Sequence, residues 1–188
     1  MSAALIIGAG DALGGAIARR FAREGLTACV VRRNGDQLVP LVEAIEAAGG
    51  RAVPFGADAR VEEVMVDLVD RIEADIGPIR VAVHNIGANV RFGIRETTAR
   101  VYRKVWEMCA FSAFLTGREA ARVMAPRSEG TILFTGATAS VRGGAGFAAF
   151  AGGKHAVRAL AQSMARELGP EGLHVAHSII DGPIDTAF

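Results

Sequence analysis

The residue patterns richest in chemistry sit at the ends of apolar runs. The run Ala4–Gly8 continues into Gly8-Ala9-Gly10-Asp11-Ala12-Leu13-Gly14-Gly15 and then into an amphipathic stretch. A strand that turns through such a loop into a helix leaves main-chain N–H groups uncrowded at a helix N-terminus, where a pyrophosphate can sit. Gly8, Gly10, Asp11, Ala12, Leu13 and Gly14 are the candidate contacts. The loop departs from strict GxGxxG spacing, which would need glycine where Leu13 stands. The next run, Thr27–Val31, ends in Arg32-Arg33-Asn34. A fold that selects NAD(H) offers an acidic side chain here to the adenosine ribose 2′-hydroxyl, whereas an arginine suits a 2′-phosphate. No carboxylate in this segment competes for Arg32 and Arg33, so NADP(H) is expected over NAD(H). The blander reading is a pair of solvated arginines at a strand end.

The elements that must position these groups alternate along the chain. Short apolar runs at Ala4–Gly8, Thr27–Val31, Ala52–Gly56, Val81–Asn85, Thr131–Thr135 and His174–Ile180 read as strands, most of them suited to burial on both faces. Between the first two, Leu13, Ile17 and Phe21 recur at helical spacing and predict a helix that packs on a sheet through that stripe. Leu38, Leu41, Val42, Ile45 and Ala48 predict a second helix, with Asn34 or Asp36 as its cap and Gly49-Gly50 as its end. Val61, Val64, Met65, Leu68 and Ile72 predict a third, stopped by Gly77-Pro78. Two longer helices are expected over Arg100–Met124 and Phe150–Leu168. Strands alternating with crossover helices define an α/β class, a three-layer, doubly wound parallel sheet or Rossmann fold.

Bulk properties exclude several functions. With 188 residues, 51% hydrophobic and 22% charged, the chain has ordinary globular usage and suffices for one domain with a substantial core. Its 21 basic and 20 acidic residues leave a net charge of +1 with no block of like charges, so neither nucleic acid nor a membrane surface is an expected partner. Cys29 and Cys109 lie in apolar contexts without ligand spacing and read as buried free thiols, with no metal site. The N-terminal run is broken by Gly8, Gly10 and Asp11 far short of a membrane span, and a cytoplasmic protein is expected.

The loop spacing resembles that of the short-chain dehydrogenase/reductase family, whose G-x-x-x-G-x-G maps onto Gly8, Ala12 and Gly14, with Ala12 replacing the middle glycine. Ala57-Asp58-Ala59 is similar to the family's aspartate after the third strand, which implies an adenine contact for Asp58 and Ala59. His84-Asn85-Ile86-Gly87 resembles its Asn-Asn-Ala-Gly, keeping Asn85 and Gly87. Asp181-Gly182-Pro183-Ile184-Asp185-Thr186 resembles its Pro-Gly-x-x-x-Thr segment beside the nicotinamide, keeping Gly182 and Thr186. These landmarks run in order over nearly the whole chain.

The resemblance also implies a Tyr-x-x-x-Lys pair, in which the phenol protonates a carbonyl and the lysine lowers its pKa and holds the ribose. Here the segment reads Phe150-Ala151-Gly152-Gly153-Lys154, and Phe150 has no proton to give. Tyr102, the one tyrosine, belongs to another helix, and position 147 is also phenylalanine. The family's catalytic serine and helix asparagine fall on Ala137 and Cys109, so Lys154 alone is retained. Substitute proton donors are His84, His155, Thr138, Ser140 or water, with Thr138 and Ser140 otherwise reading as hydroxyls that cap a loop.

The resemblance thus implies an NADP(H)-dependent oxidoreductase of divergent mechanism acting on a small carbonyl or enone. The alternative is a nucleotide-binding sensor or oligomerisation module that has lost the chemistry. A homodimer or homotetramer through the two long helices is expected, as is a single domain over 1–188 without the family's substrate-covering helix pair and last strand.

Overall fold

A computed structural model of the chain describes residues 1–182 and Ile184. Among them, β1 (Ala3–Ile7), β2 (Thr27–Arg32), β3 (Arg51–Gly56), β4 (Ile79–His84), β5 (Gly130–Ala137) and β6 (Leu173–Ile180) form one sheet. Every pairing is parallel and the order is β3-β2-β1-β4-β5-β6, so the chain winds outward in both directions from β1. All six strands lie where the apolar runs predicted them, with ends displaced by at most two residues. In the register, Ile7 partners both Val31 and His84. The carboxyl ends of β1, β2 and β4 therefore open together at the point where the order reverses, which is where doubly wound sheets hold ligands.

Two layers of helix cover the sheet. On one face α1 (Leu13–Arg23) and α2 (Val39–Ala47) bury Ala4, Ile6, Ala28 and Val30. On the other, α3 (Glu62–Asp75), α4 (Ala99–Trp106), α5 (Ser112–Met124) and α6 (Ala148–Leu168) bury Leu5, Ile7, Val31, Ile132, Phe134 and Val175. Each fully buried Leu, Ile or Phe contributes about 1.5–3 kcal/mol. Asn34, rather than Asp36, supplies the cap expected before α2. Its Oδ1 accepts the Asp36 N–H at 3.2 Å and opens a short 3₁₀ turn over Gly35–Leu38.

The first helix differs from its sequence pattern. Its buried face is Gly14, Gly15, Ala18 and Ala22, while Leu13, Ile17 and Phe21 are only half-buried and flank that contact. Closeness to the sheet decides this: a Cβ at Gly14 would lie 2.3 Å from Gly8 O, so the helix can seat only its small residues. The long helix expected over Arg100–Met124 is continuous from Ala99 to Met124 but contains a π-helical turn, Glu107–Phe111, between α4 and α5. Such turns cluster at functional sites, and this one carries Cys109.

Candidate functional site

The turn after β1 is built from main chain. Gly8 has φ +86°, and a Cβ there would come within 2.5 Å of Asn85 O. Its own N–H donates to Val31 O at 3.0 Å, and the Asn85 side-chain amide donates to Gly8 O at 3.1 Å. Asn85 is thereby a bridge that fixes the β1 turn against β4. A Cβ at Gly10 or Gly87 would meet nothing within 4 Å. Glycine at positions 8 and 14 is thus demanded by the protein's own packing, whereas at 10 and 87 the packing leaves open space, which at Gly87 belongs to the crevice. No side chain caps the first turn of α1 beyond Ala12, and that turn holds no acidic residue; Gly15 N–H is taken by Gly10 O at 2.7 Å, which leaves the N–H groups of Leu13 and Gly14 to an anion. Leu13 begins the helix and, with Ile17, lines an apolar groove on the sheet face that α1 packs against.

Beside this turn lies a cavity of about 230 Å³ whose walls include Gly8, Asn85, Gly87, Arg32 and Arg33. Asp58 and Ala59 close its far side. Arg60 also lines it, a residue that sequence reasoning missed; its signal was a guanidinium two residues from a candidate carboxylate. Arg60 Nε meets Asp58 Oδ1 at 2.9 Å and Nη2 meets Oδ2 at 2.6 Å, a two-point contact. The Arg60 hydrogen bond holds the Asp58 carboxyl below the usual carboxylate range against the opposing effect of burial. A carboxylate does approach Arg32, contrary to the expectation that none competes, but Asp11 Oδ1 stands 3.8 Å away with its side chain 93% exposed. A pair so exposed contributes about 0–1 kcal/mol. These residues fit a dinucleotide, with glycine-lined space for phosphates and guanidinium groups at one end.

A second cavity, of about 360 Å³, opens at the ends of β5 and β6 and is lined by Ala137, Thr138, Phe147, Phe150 and Gly182. Gly182, at φ +127°, lines this cavity rather than the first, and Thr186 lies outside the described residues. Lys154 is no solvated lysine: it is 3% exposed, and Nζ donates to Ile86 O at 3.0 Å and Thr135 O at 2.9 Å. Burial holds its ammonium below the usual lysine range. Nζ sits 5.9 Å from the Phe150 ring centroid, so phenylalanine occupies the space beside the lysine with a purely apolar ring. Cys109 is fully buried and its thiol is pushed up by burial; a Cβ on Gly153 would come within 2.9 Å of its Cβ, so the π turn and α6 meet tightly there. Cys29 is likewise a buried free thiol.

The substitute donors separate. His84 is fully buried, and desolvation with the nearby Lys154 charge lowers its pKa to about 3. Ser112 spends its hydrogen on Met108 O at 2.6 Å, so its oxygen accepts from His84 Nε2 at 2.7 Å, and His84 Nδ1 has no partner among the described residues. A neutral, sealed imidazole cannot serve a substrate as an acid. His155 is exposed on the outer side of α6, its Nδ1 2.9 Å from Ala151 O. Ser140 is buried and accepts the Ala137 N–H at 3.1 Å, the loop-capping role. Thr138 keeps its place on the cavity wall and donates to the Asp181 carboxylate.

The short chain dehydrogenase family model matches residues 2–188, and the chain belongs to that family of oxidoreductases. It is 33% identical over 174 residues to zerumbone synthase of Zingiber zerumbet, covering 92% of this chain and 65% of that protein. To xanthoxin dehydrogenase of Arabidopsis thaliana it is 30% identical over 176 residues, covering 92% and 62%. It therefore spans just under two thirds of both. A short-chain dehydrogenase from Rhodopseudomonas palustris superposes with TM-score 0.93 at 54% identity over 97% of this chain and 85% of that one. Among the described residues no helix is long and apolar enough to cross a membrane.

Proposed function

We propose that this chain is an NADP(H)-binding oxidoreductase that acts on a small carbonyl, alcohol or enone without the phenol its family uses. The observation that carries the nucleotide reading is the arginine-lined end of the first cavity. Arg32, Arg33 and Arg60 line it, and the Asp58 carboxylate is held in a two-point contact by Arg60, which offsets its charge at this end. Guanidinium forks bind a phosphate dianion far better than a neutral hydroxyl. Gly8, Gly10, Ala12 and Gly14 with the open N-terminus of α1 would hold the pyrophosphate, Asp58 and Ala59 the adenine side, and Asn85, Gly87 and Gly182 the nicotinamide side. Bound nicotinamide supplies the hydride donor or acceptor. Lys154 would turn its remaining N–H toward the ribose, since main-chain carbonyls take two of its three donors.

Titration of the protein with NADPH and with NADH, followed by nicotinamide fluorescence, tests this. Tighter NADPH binding is expected, falling about tenfold or more in Arg33→Ala, because a charge-assisted contact is worth about 1.5–3 kcal/mol. Equal affinities overturn the preference for NADP(H), and no binding of either overturns the reading. Phe150 supports a second reading, a nucleotide-binding module without turnover; a protein that binds NADPH tightly but does not oxidise it against any carbonyl or enone would bear that out. The outward stripe of Trp106, Phe111 and Phe114, stacked ring on ring with Trp106 44% and Phe114 40% exposed, supports self-association through the α4–α5 face as a homodimer or homotetramer.

A further inference from the structure

Resting on the oxidoreductase reading, we propose that Thr138 and Asp181 form the proton-moving pair of this site and that its reaction is alcohol–carbonyl interconversion rather than reduction of a carbon–carbon double bond. The pair follows from strand register. Ala137 of β5 partners Ile180 of β6. The next residue of each strand is Thr138 and Asp181, so the two leave the sheet side by side. Val141 and Arg142 N–H both donate to Thr138 O at 3.0 Å, which fixes the turn and holds Thr138 on the wall of the cavity that Phe150 also lines.

Elimination points the same way. Among the described residues lining this cavity, the polar side chains are Asn89, Thr138 and Arg142. An amide does not titrate, and a guanidinium can neither accept a hydrogen bond nor be deprotonated in a protein. A hydroxyl both accepts and donates. Among the described residues lining the cavity Arg142 is the charged one, while the Lys154 ammonium is bound to main-chain carbonyls.

The polarity of the contact sets the direction. Thr138 Oγ1 gives its hydrogen to Asp181 Oδ1, which leaves its lone pairs free to accept from a substrate hydroxyl. In the oxidising direction the substrate O–H bond breaks and its proton passes to Thr138 Oγ1. The Thr138 O–H bond breaks in turn, and that proton passes to Asp181 Oδ1 and on to solvent. The electron pair left on the substrate oxygen becomes the carbonyl π bond as the carbon gives hydride to an oxidised nicotinamide. Reduction runs the same transfers backwards, ending with a proton on the product alkoxide. Reduction of an activated alkene at carbon needs no such donor at oxygen, so a built relay favours the alcohol–carbonyl couple.

Two measurements test the pair, the first without nucleotide. In protein labelled with [γ-13C]aspartate, the Asp181 resonance is identified by its loss in D181N. It is expected to move in T138V, and to move on saturation with 2-butanol in wild type but not in T138V. A resonance indifferent to T138V overturns the pair whatever the enzyme does. The second is NADP⁺-dependent oxidation of 2-butanol, cyclohexanol and 1-phenylethanol. D181N and T138V should each lower kcat by about 10²-fold or more, the usual worth of general base help, with KM and NADP⁺ affinity within about threefold of wild type. T138S should recover kcat to within about tenfold, which a merely structural threonine would not require. Turnover unchanged in D181N overturns the relay and leaves the oxidoreductase reading standing. Wild type that binds NADP⁺ yet oxidises none of the three overturns both.

Discussion

At the carboxyl ends of β1, β2 and β4 the site is made of main chain: a turn at Gly8, a side-chain bridge from Asn85, the uncapped first turn of α1, and arginines on the rim. At the end of β5 and the start of α6 the family's functional positions are filled by groups that pack: Phe150 at 8% exposure, Cys109 at 0%, and Ala137, whose N–H is taken by Ser140. Shape-based binding depends on backbone geometry and survives side-chain change, because the N–H groups that hold phosphate are the same for every residue. Proton transfer depends on one ionisable atom in one place and ends with a single substitution. The two ends therefore diverge independently, and a cradle is weak evidence for any particular chemistry.

The largest expected effect sits on the border between them. His84 is held neutral, with its pKa lowered from 6.5 to about 3 chiefly by burial and then by Lys154. The unfolded chain binds the extra proton, so stability is fully present above pH 6.5 and is lost as pH falls toward 3. At about 1.4 kcal/mol per unit the loss is on the order of 4 kcal/mol. Urea midpoints measured from pH 7 to pH 3.5 should fall more steeply for wild type than for His84→Asn. Parallel curves would mean that the imidazole is not sealed.

Gly14→Val comes next. Its side chain would strike Gly8 O and the Ala9 backbone, an overpacking that costs about 1–3 kcal/mol and shifts Tm by roughly 2–4 °C for each kcal/mol. Thermal melts should show the drop, and nucleotide binding should go with it. An unshifted Tm would break the claim that this glycine serves the fold.

Phe150→Tyr aims at the other end, placing a phenol one helical turn from Lys154. Turnover of a small ketone should rise about tenfold or more, from the usual range for acid–base help, with NADPH affinity unchanged. A flat result would show that the pocket around Ala137 is no longer shaped for a phenol.

Gly87→Ala is the smallest effect and the sharpest discriminator, because a methyl there meets nothing within 4 Å. Tm should stay within about 2 °C, since substitutions away from packed features cost no more than about 0.5 kcal/mol, while NADPH affinity measured by fluorescence falls. Unchanged affinity would remove Gly87 from the nucleotide side.

Much of this was legible in the chain. Apolar runs marked all six strands because a strand buried on both faces has no alternative composition. Gly8 and Asn85 were legible because a positive φ and a backbone bridge restrict residue type. The Leu13-Ile17-Phe21 stripe misled, since periodicity reports where large side chains sit and not how close a helix must come. Arg60 was missed although its partner Asp58 is two residues away, because its place on one wall with Arg32 and Arg33 depends on which strand ends converge. Lys154 could also be read as a solvated lysine early in a helix, a reading that its burial and two carbonyl partners remove.

The sequence by itself determined the elements, the α/β class and the absence of a phenol at position 150, all of which follow from local conformational preference and covalent identity. Tertiary structure alone decided that Thr138 meets Asp181, that His84 is sealed against Ser112, and that three arginines share one cavity. Those relations join residues distant in the chain, and they exist only because the strand order and parallel register bring particular strand ends together.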